Sequence, residues 1–169
     1  MSCPSDPTGD SVLDQLASLG VDHEVMPCDP ALADTAAFCA AYGVAPEDSA
    51  NAILVAGKAE PRSYAVCLLL ATCRLDVNGT VRRRLGARKV SFAGFDETEE
   101  VTGMTVGGVT PFGLPRALPV WIDVAVMERE TVVVGGGSRD RKLRLSPAGL
   151  LAIPGAEVVD GLARPVPID

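Results

Sequence analysis

The chain has 169 residues, of which 47% are hydrophobic and 22% are charged, and its formal net charge is −7. This balance is typical of one folded globular domain and excludes an intrinsically disordered chain. No apolar run approaches the roughly 18 residues of a membrane span, and the start MSCPSDPTGD lacks the basic and apolar regions of a signal peptide, so we expect a cytoplasmic protein with no membrane partner.

In chain order, the first predicted element is a helix over 11–19, where apolar residues recur at helical spacing and Gly20 ends the helix. The strands 51–58 and 64–72 form the clearest hairpin, joined by the polar turn AEPRS. The second of these strands is a continuous apolar run, which predicts burial on both faces. The other predicted elements are strand 23–27, helix 29–42, helix 78–86, strand 89–94, helix 96–103, strand 118–127, strand 131–137, strand 142–146 and helix 147–153.

These elements do not alternate strictly as strand, helix, strand, and strands far apart in the chain must pair. The pattern therefore predicts the α+β class, as a single compact domain with a mixed, curled β-sheet flanked by helices. We assign residues 1–10 to a flexible N-terminus, 11–162 to the domain and 163–169 to a C-terminal tail. The last 13 residues predict proline-rich coil.

Nothing in the chain has the spacing of a metal site. The five cysteines form no C-x-x-C pair, and His23 is the single histidine. We therefore predict neither a metal nor a cofactor.

The net charge disfavours non-specific binding to nucleic acid. However, nine of the 15 basic residues lie in the windows 82–89, RRRLGARK, and 139–144, RDRKLR. Two interpretations remain open, a patch that contacts phosphates and two solvated faces, and charge alone favours the second.

The loop TGMTVGGVTPFGLP, residues 102–115, is rich in glycine and proline and almost uncharged. Gly107 and Gly108 permit positive φ, while Pro111 stiffens the segment. Such a loop could aim backbone N–H groups at a ligand oxygen, as an oxyanion hole does. The alternative is a tight structural turn between two strands.

The order of these segments resembles a known family. The asparagine that starts the hairpin, the buried strand, LGARKVSFA, the glycine loop and VVVGGGSRDRKLRLSPAGLLAI together resemble the YbaK/EbsC aminoacyl-tRNA editing domains. These domains also occur inserted in, or associated with, bacterial prolyl-tRNA synthetases. The resemblance runs over about residues 13–161, and its two most recognisable motifs are 107–111 and 135–138.

The resemblance implies an α+β domain whose pocket hydrolyses the ester of a mischarged aminoacyl-tRNA. It assigns catalytic roles to Asn51, Gly107 and Gly108. It places substrate-binding residues in the pocket loop and in a facing wall, namely Val109, Thr110, Pro111, Gly136, Gly137 and Ser138. Many family members carry a lysine where this chain has Asn51, which can donate a hydrogen bond but supplies no positive charge and no acid or base.

We therefore expect a trans-editing deacylase that removes a small amino acid from tRNA. Its partner would be the acceptor end of an aminoacyl-tRNA, with a tRNA synthetase as a second candidate, and we expect a monomer. Two alternatives stay open. One is a module of the same fold that binds tRNA, a nucleotide or a partner protein with little or no catalysis. The other is a structural domain whose glycine loops are only turns.

Overall fold

The computed structural model describes residues 7–166, with side chains from Ser11 onward. Residues 1–6 of the predicted flexible N-terminus and residues 167–169 of the predicted tail lie outside the described residues. The helices are α1 Pro7–Leu19, α2 Thr35–Tyr42, α3 Arg82–Leu85, α4 Phe95–Thr102 and α5 Val124–Met127. The strands are β1 His23–Pro27, β2 Ala50–Gly57, β3 Ser63–Leu70, β4 Cys73–Leu75, β5 Val90–Phe92, β6 Val120–Asp123, β7 Val132–Gly135, β8 Arg141–Leu145, β9 Ala156–Val159 and β10 Ala163–Pro165.

The largest sheet has five strands in the order β5-β2-β3-β6-β9. The pairs β5–β2 and β2–β3 are antiparallel, whereas β3–β6 and β6–β9 are parallel. A second, antiparallel sheet has the order β1-β8-β7, and β10 pairs with β4 in a two-stranded ladder. The predicted α+β class with a mixed sheet and flanking helices is confirmed.

The strand β3 is the centre of the fold, and residues 65–70 of it are buried. Side chains alternate across a strand, so Val66 and Leu68 enter one core with Leu16 of α1. Cys67 and Leu69 enter a second core on the opposite face of the sheet. The predicted burial of this strand on both faces is confirmed.

Several predicted boundaries differ from the structure. The predicted strand 118–127 stops at Asp123, because the Asp123 side chain accepts a hydrogen bond from the Ala125 amide and caps α5. The predicted helix 29–42 is a 3₁₀ turn, Pro30–Leu32, followed by α2. The first helix begins at Pro7 rather than residue 11.

The end of the chain also differs from prediction. The segment Pro147–Ala152 is a 3₁₀ helix rather than an α-helix. The predicted coil after it contains β9 and β10, which pair with β6 and β4. Both pairings join residues far apart in the sequence, so local patterning did not reveal them.

The two larger sheets meet at one point that matters for function. Ser49, just before β2, forms an isolated bridge with Val133 of β7. This contact brings the start of the hairpin close to the turn between β7 and β8. The loop 103–119 between α4 and β6 comes to the same place, as its contacts below show.

Candidate functional site

A cavity of about 310 Å³ opens where the start of β2, the glycine loop, α2, α4 and β7 meet. Most of its wall is apolar, including Phe38, Leu54 and Val133. The polar side chains in the wall are those of Asp34, Thr35, Ser49, Asn51, Thr98 and Lys142. This combination of apolar wall and few polar groups is typical of a small-molecule site.

The glycine loop forms one side of the cavity through Val106, Gly107 and Val109. Met104 and Phe112 flank this stretch and are almost fully buried, so they anchor the loop in the core. Gly107 has a φ of +99°, which a residue with a side chain rarely adopts. The loop therefore forms a wall of the cavity that is anchored in the core on both sides.

Two cations hold consecutive carbonyls of the loop. The Arg139 guanidinium donates to the carbonyl of Val106 at 2.8 Å, and the Lys142 ammonium donates to the carbonyl of Gly107 at 2.7 Å. In a trans peptide the N–H points away from the preceding carbonyl. The N–H of Gly107 therefore points away from Arg139, and it has no acceptor among the described residues.

The next two amides differ from each other. The N–H of Gly108 donates to the Thr105 carbonyl at 2.9 Å, so it is not available to a ligand. The Gly108 carbonyl accepts from Gly137 N–H at 2.7 Å, which turns the Val109 N–H to the opposite side. Val109 lines the cavity, and its N–H has no acceptor within residues 7–166. We call Gly107 and Val109 the amide pair.

The second glycine segment lies behind the loop rather than across the cavity from it. A Cβ on Gly108 would lie 2.6 Å from the backbone of Ser138, and one on Gly135 would lie 2.1 Å from the Val109 carbonyl oxygen. Within this segment, Gly135 lines the cavity, whereas Gly136 and Gly137 do not. The expected facing wall of 136–138 is thus a backing layer, because paired glycines let the two backbones approach closely.

Thr110 and Pro111 of the loop are buried and do not line the cavity. The Thr110 N–H donates to the Met104 sulfur at 3.4 Å. Within the described part of the chain, its hydroxyl has no hydrogen-bond partner. These two residues therefore pack inside the protein and do not border the space that a bound molecule would occupy.

Asn51, near the start of β2, stands in the cavity wall. Its side-chain oxygen accepts a hydrogen bond from the Thr35 hydroxyl at 2.5 Å. This contact leaves the amide NH₂ of Asn51 to donate to a bound group. Asn51 and the amide pair therefore border the same space.

Lys142 is the site residue that sequence reasoning missed, because both interpretations of its basic window, a phosphate-contacting patch and a solvated face, place it on the surface. Its neighbours Leu143 and Leu145 face the core, so strand alternation assigns Lys142 to the other face of β8. The segment around Phe38 covers that face, and Lys142 is only 7% exposed. No signal in the sequence indicates this cover, which depends on tertiary packing.

Burial lowers the pKa of the Lys142 ammonium, with Arg139 adding to the effect. Arg139 itself donates to the Pro30 carbonyl at 3.0 Å and forms an ion pair with Asp34 at 3.2 Å. It thereby ties the glycine loop to the start of α2. The basic side chains of the window 139–144 thus mostly contact other parts of the protein rather than forming a solvated face.

The window 82–89 is different, because Arg82, Arg83, Arg88 and Lys89 are exposed. At the mouth of the cavity, Phe95 is 76% exposed.

Within residues 7–166, no three His, Cys, Asp or Glu side chains lie close enough together to hold a metal ion. Likewise, none of the described helices has the length and apolar character needed to cross a membrane.

Comparison with known proteins gives a consistent result. Residues 29–153 match the family described as "Aminoacyl-tRNA editing domain". YwhH of Bacillus subtilis (strain 168), named as an uncharacterized protein, is 32% identical over 85 residues, which are 50% of this chain and 54% of YwhH. EbsC of Enterococcus faecalis (strain ATCC 700802 / V583), provisionally named as a Cys-tRNA(Pro)/Cys-tRNA(Cys) deacylase, is 25% identical over 68 residues, 40% of this chain and 42% of EbsC.

The matched segments thus span about half the length, or less, of these curated relatives. Among solved structures, one provisionally named as a trans-editing enzyme for prolyl tRNA synthetase superposes with a TM-score of 0.78 at 25% identity. That match covers 95% of this chain and 98% of the other. The fold is therefore shared over almost the full length of both chains.

Proposed function

The chain belongs to the aminoacyl-tRNA editing domain family, and on that premise we propose that it is a trans-editing deacylase that hydrolyses the ester of a mischarged tRNA. The observation that carries this proposal is the amide pair. Gly107 and Val109 line the cavity, and their N–H groups lack internal acceptors among the described residues. Preorganised backbone donors of this kind stabilise the oxyanion formed when water attacks an ester.

In the proposed reaction, a water oxygen attacks the ester carbonyl carbon, and the carbonyl electron pair moves to the oxygen beside the amide pair. Collapse of this tetrahedral oxyanion breaks the bond between the acyl carbon and the ribose oxygen. Of the two protons of the attacking water, one passes to the ribose oxygen and the other to bulk solvent, and the amino acid leaves as a carboxylate. The NH₂ group of Asn51 donates to the substrate carbonyl or to a ribose hydroxyl, which orients the ester.

The substrate proposed is a small aminoacyl group on the acceptor end of tRNA. The cavity volume of about 310 Å³ lies at the lower end of the range for ligand sites, about 300–1,000 Å³. The name of EbsC, which specifies Cys-tRNA, also points to a small side chain. The exposed ring of Phe95 offers a surface on which the terminal base can stack.

Phosphate contacts of the acceptor end are assigned to the exposed Arg82, Arg83, Arg88 and Lys89. A tRNA synthetase is the second proposed partner, since the similar solved structure carries prolyl tRNA synthetase in its name. The protein would act as a monomer.

The test compares wild type with Asn51→Ala on a panel of mischarged tRNAs. We expect wild type to hydrolyse at least one of them, and N51A to do so about 10-fold more slowly because one substrate hydrogen bond is lost. Asn78→Ala is the matched control, since Asn78 is exposed in the segment before α3, outside the cavity wall. A wild type that hydrolyses none of the panel above the spontaneous rate would exclude the deacylase.

One observation supports a second candidate, a binding module without strong catalysis. Asn51 has no proton to exchange as an acid or base, and it stands where many family members carry lysine. In that case the protein would bind an aminoacyl-tRNA, a nucleotide or a partner protein without turnover. Saturable binding of an intact mischarged tRNA, with no release of its amino acid, identifies this candidate.

A further inference from the structure

Lys142 is a buried cation at the edge of the cavity. Its ammonium donates to the carbonyls of Ala33 and Gly107, each at 2.7 Å. The ring of Phe38 lies 5.5 Å from the same nitrogen. These groups hold the ammonium in one position, between α2 and the glycine loop.

Among the described residues, no carboxylate is paired directly with this charge. Lys142 forms no ion pair with any Asp or Glu in the described part of the chain. Asp34 lines the same cavity, but its side chain is 73% exposed and is paired with Arg139. An unpaired buried charge is costly, and a neutral donor could join the two carbonyls with a smaller desolvation penalty.

One N–H group of the Lys142 ammonium is also available to a ligand. It carries three N–H groups, and two of them are used by Ala33 and Gly107. The third has no hydrogen-bond acceptor within residues 7–166, and Lys142 belongs to the cavity wall. A positive charge with a free donor beside an apolar cavity favours a ligand oxygen that carries negative charge.

We propose that Lys142 is a catalytic cation that, together with the amide pair, stabilises the oxyanion of the tetrahedral intermediate. This inference rests on the proposed function and supplies the positive charge that Asn51 lacks. Because the charge on the oxygen develops only during the reaction, Lys142 stabilises the transition state more than the bound ester. It also holds the Gly107 carbonyl, so the cation and the amide pair keep a constant relative position.

The first experiment measures single-turnover deacylation of a mischarged tRNA that wild type hydrolyses. Lys142→Met removes the charge and both hydrogen bonds, whereas Lys142→Gln keeps a neutral donor on a shorter side chain. We expect the maximal rate constant to fall about 100-fold in both variants, with less than a threefold change in the tRNA concentration at half-maximal rate. Arg144→Met is the matched control, because Arg144 is a cation of the same strand that pairs with Glu24 outside the cavity wall.

The second experiment measures binding and needs no turnover. The probes are two adenosine derivatives with an alanine-like group on the 3′ position, one a neutral amide and the other an anionic phosphonate. We expect K142Q to lose at least 10-fold in affinity for the phosphonate and less than twofold for the amide. A merely structural lysine would change both affinities by the same factor.

The outcomes separate this inference from the deacylase proposal. If wild type hydrolyses the tRNA and K142Q is equally fast, Lys142 has no catalytic role although the deacylase stands. If wild type hydrolyses nothing, but K142Q binds the phosphonate selectively more weakly than wild type does, the deacylase proposal is wrong and the oxyanion site stands. If wild type neither hydrolyses nor binds the phosphonate, both are wrong. Circular dichroism of each variant shows whether it folds. If K142M does not fold, the result for K142Q decides between these outcomes.

Discussion

Gly107 combines two demands that no other residue type meets. Its φ is +99°, and a Cβ added there would lie 2.1 Å from Nη1 of Arg139. The same guanidinium holds the Val106 carbonyl and so directs the Gly107 N–H. A single glycine therefore sets both the backbone turn and the position of the cation behind it.

For Gly107→Ala we expect the free energy of unfolding to fall by about 1–3 kcal/mol, because alanine is strained at this φ. Displacement of Arg139 should also misplace the amide pair and slow deacylation at least 10-fold. Urea unfolding and single-turnover deacylation measure the two effects. Gly161→Ala is the control, since Gly161 has a φ of +80° and no heavy atom within 4 Å of an added Cβ. Equal deacylation rates in G107A and G161A would contradict the assigned role of Gly107.

The single residues to which the family resemblance assigns roles lie in different environments. Asn51 and Gly107 line the cavity. Gly108 does not offer its amide, because that N–H is used by Thr105. Which amides of a glycine loop remain free depends on its internal hydrogen bonds, and these bonds are not encoded in the spacing of glycines.

Two glycine-rich segments act as one element of structure. The segment 135–138 packs directly behind 107–109, with the Gly137 N–H bonded to the Gly108 carbonyl. This contact argues against the structural interpretation, in which the two segments would be unrelated turns. The backing keeps the Val109 N–H directed away from Gly137.

Gly135→Ala should separate the two segments, because its Cβ would meet the Val109 carbonyl oxygen at 2.1 Å. We expect the free energy of unfolding to fall by about 1–3 kcal/mol, because overpacking destabilises a fold by this amount. We also expect the deacylation rate to drop at least 10-fold. Gly94→Ala controls for the loss of a glycine, since nothing lies within 4 Å of a Cβ there. If thermal unfolding and the deacylation rate of G135A match those of G94A, the backing layer does not support the loop.

At the scale of the whole molecule, two cores lie on opposite faces of the five-stranded sheet. Cys67 is fully buried in one of them, beside Trp121 of β6. Burial raises the pKa of its thiol to about 12, from an ordinary value of 9.0. The unfolded chain therefore releases this proton at lower pH than the folded protein does.

The sign of the resulting pH dependence follows from that difference. The stability contributed by the protonated thiol is fully present below pH 9 and is lost as pH rises from 9.0 towards about 12. The loss attributable to Cys67 should approach about 1.4 kcal/mol per pH unit in this window. Urea unfolding of wild type and Cys67→Ala across the window measures it, because the other titrating groups are common to both proteins. Parallel curves for the two proteins would show that the thiol does not titrate as expected.

The sequence by itself determined the mixed α+β fold and the buried hairpin strand. Those features depend on apolar periodicity and on glycine and proline, which act within a few residues of one another. Only the tertiary structure decided that β9 and β10 pair with β6 and β4, that 135–138 backs the loop, and that Lys142 is buried. Each of these depends on a contact between distant segments, and the pattern of neighbouring residues does not specify which segment will cover a given face.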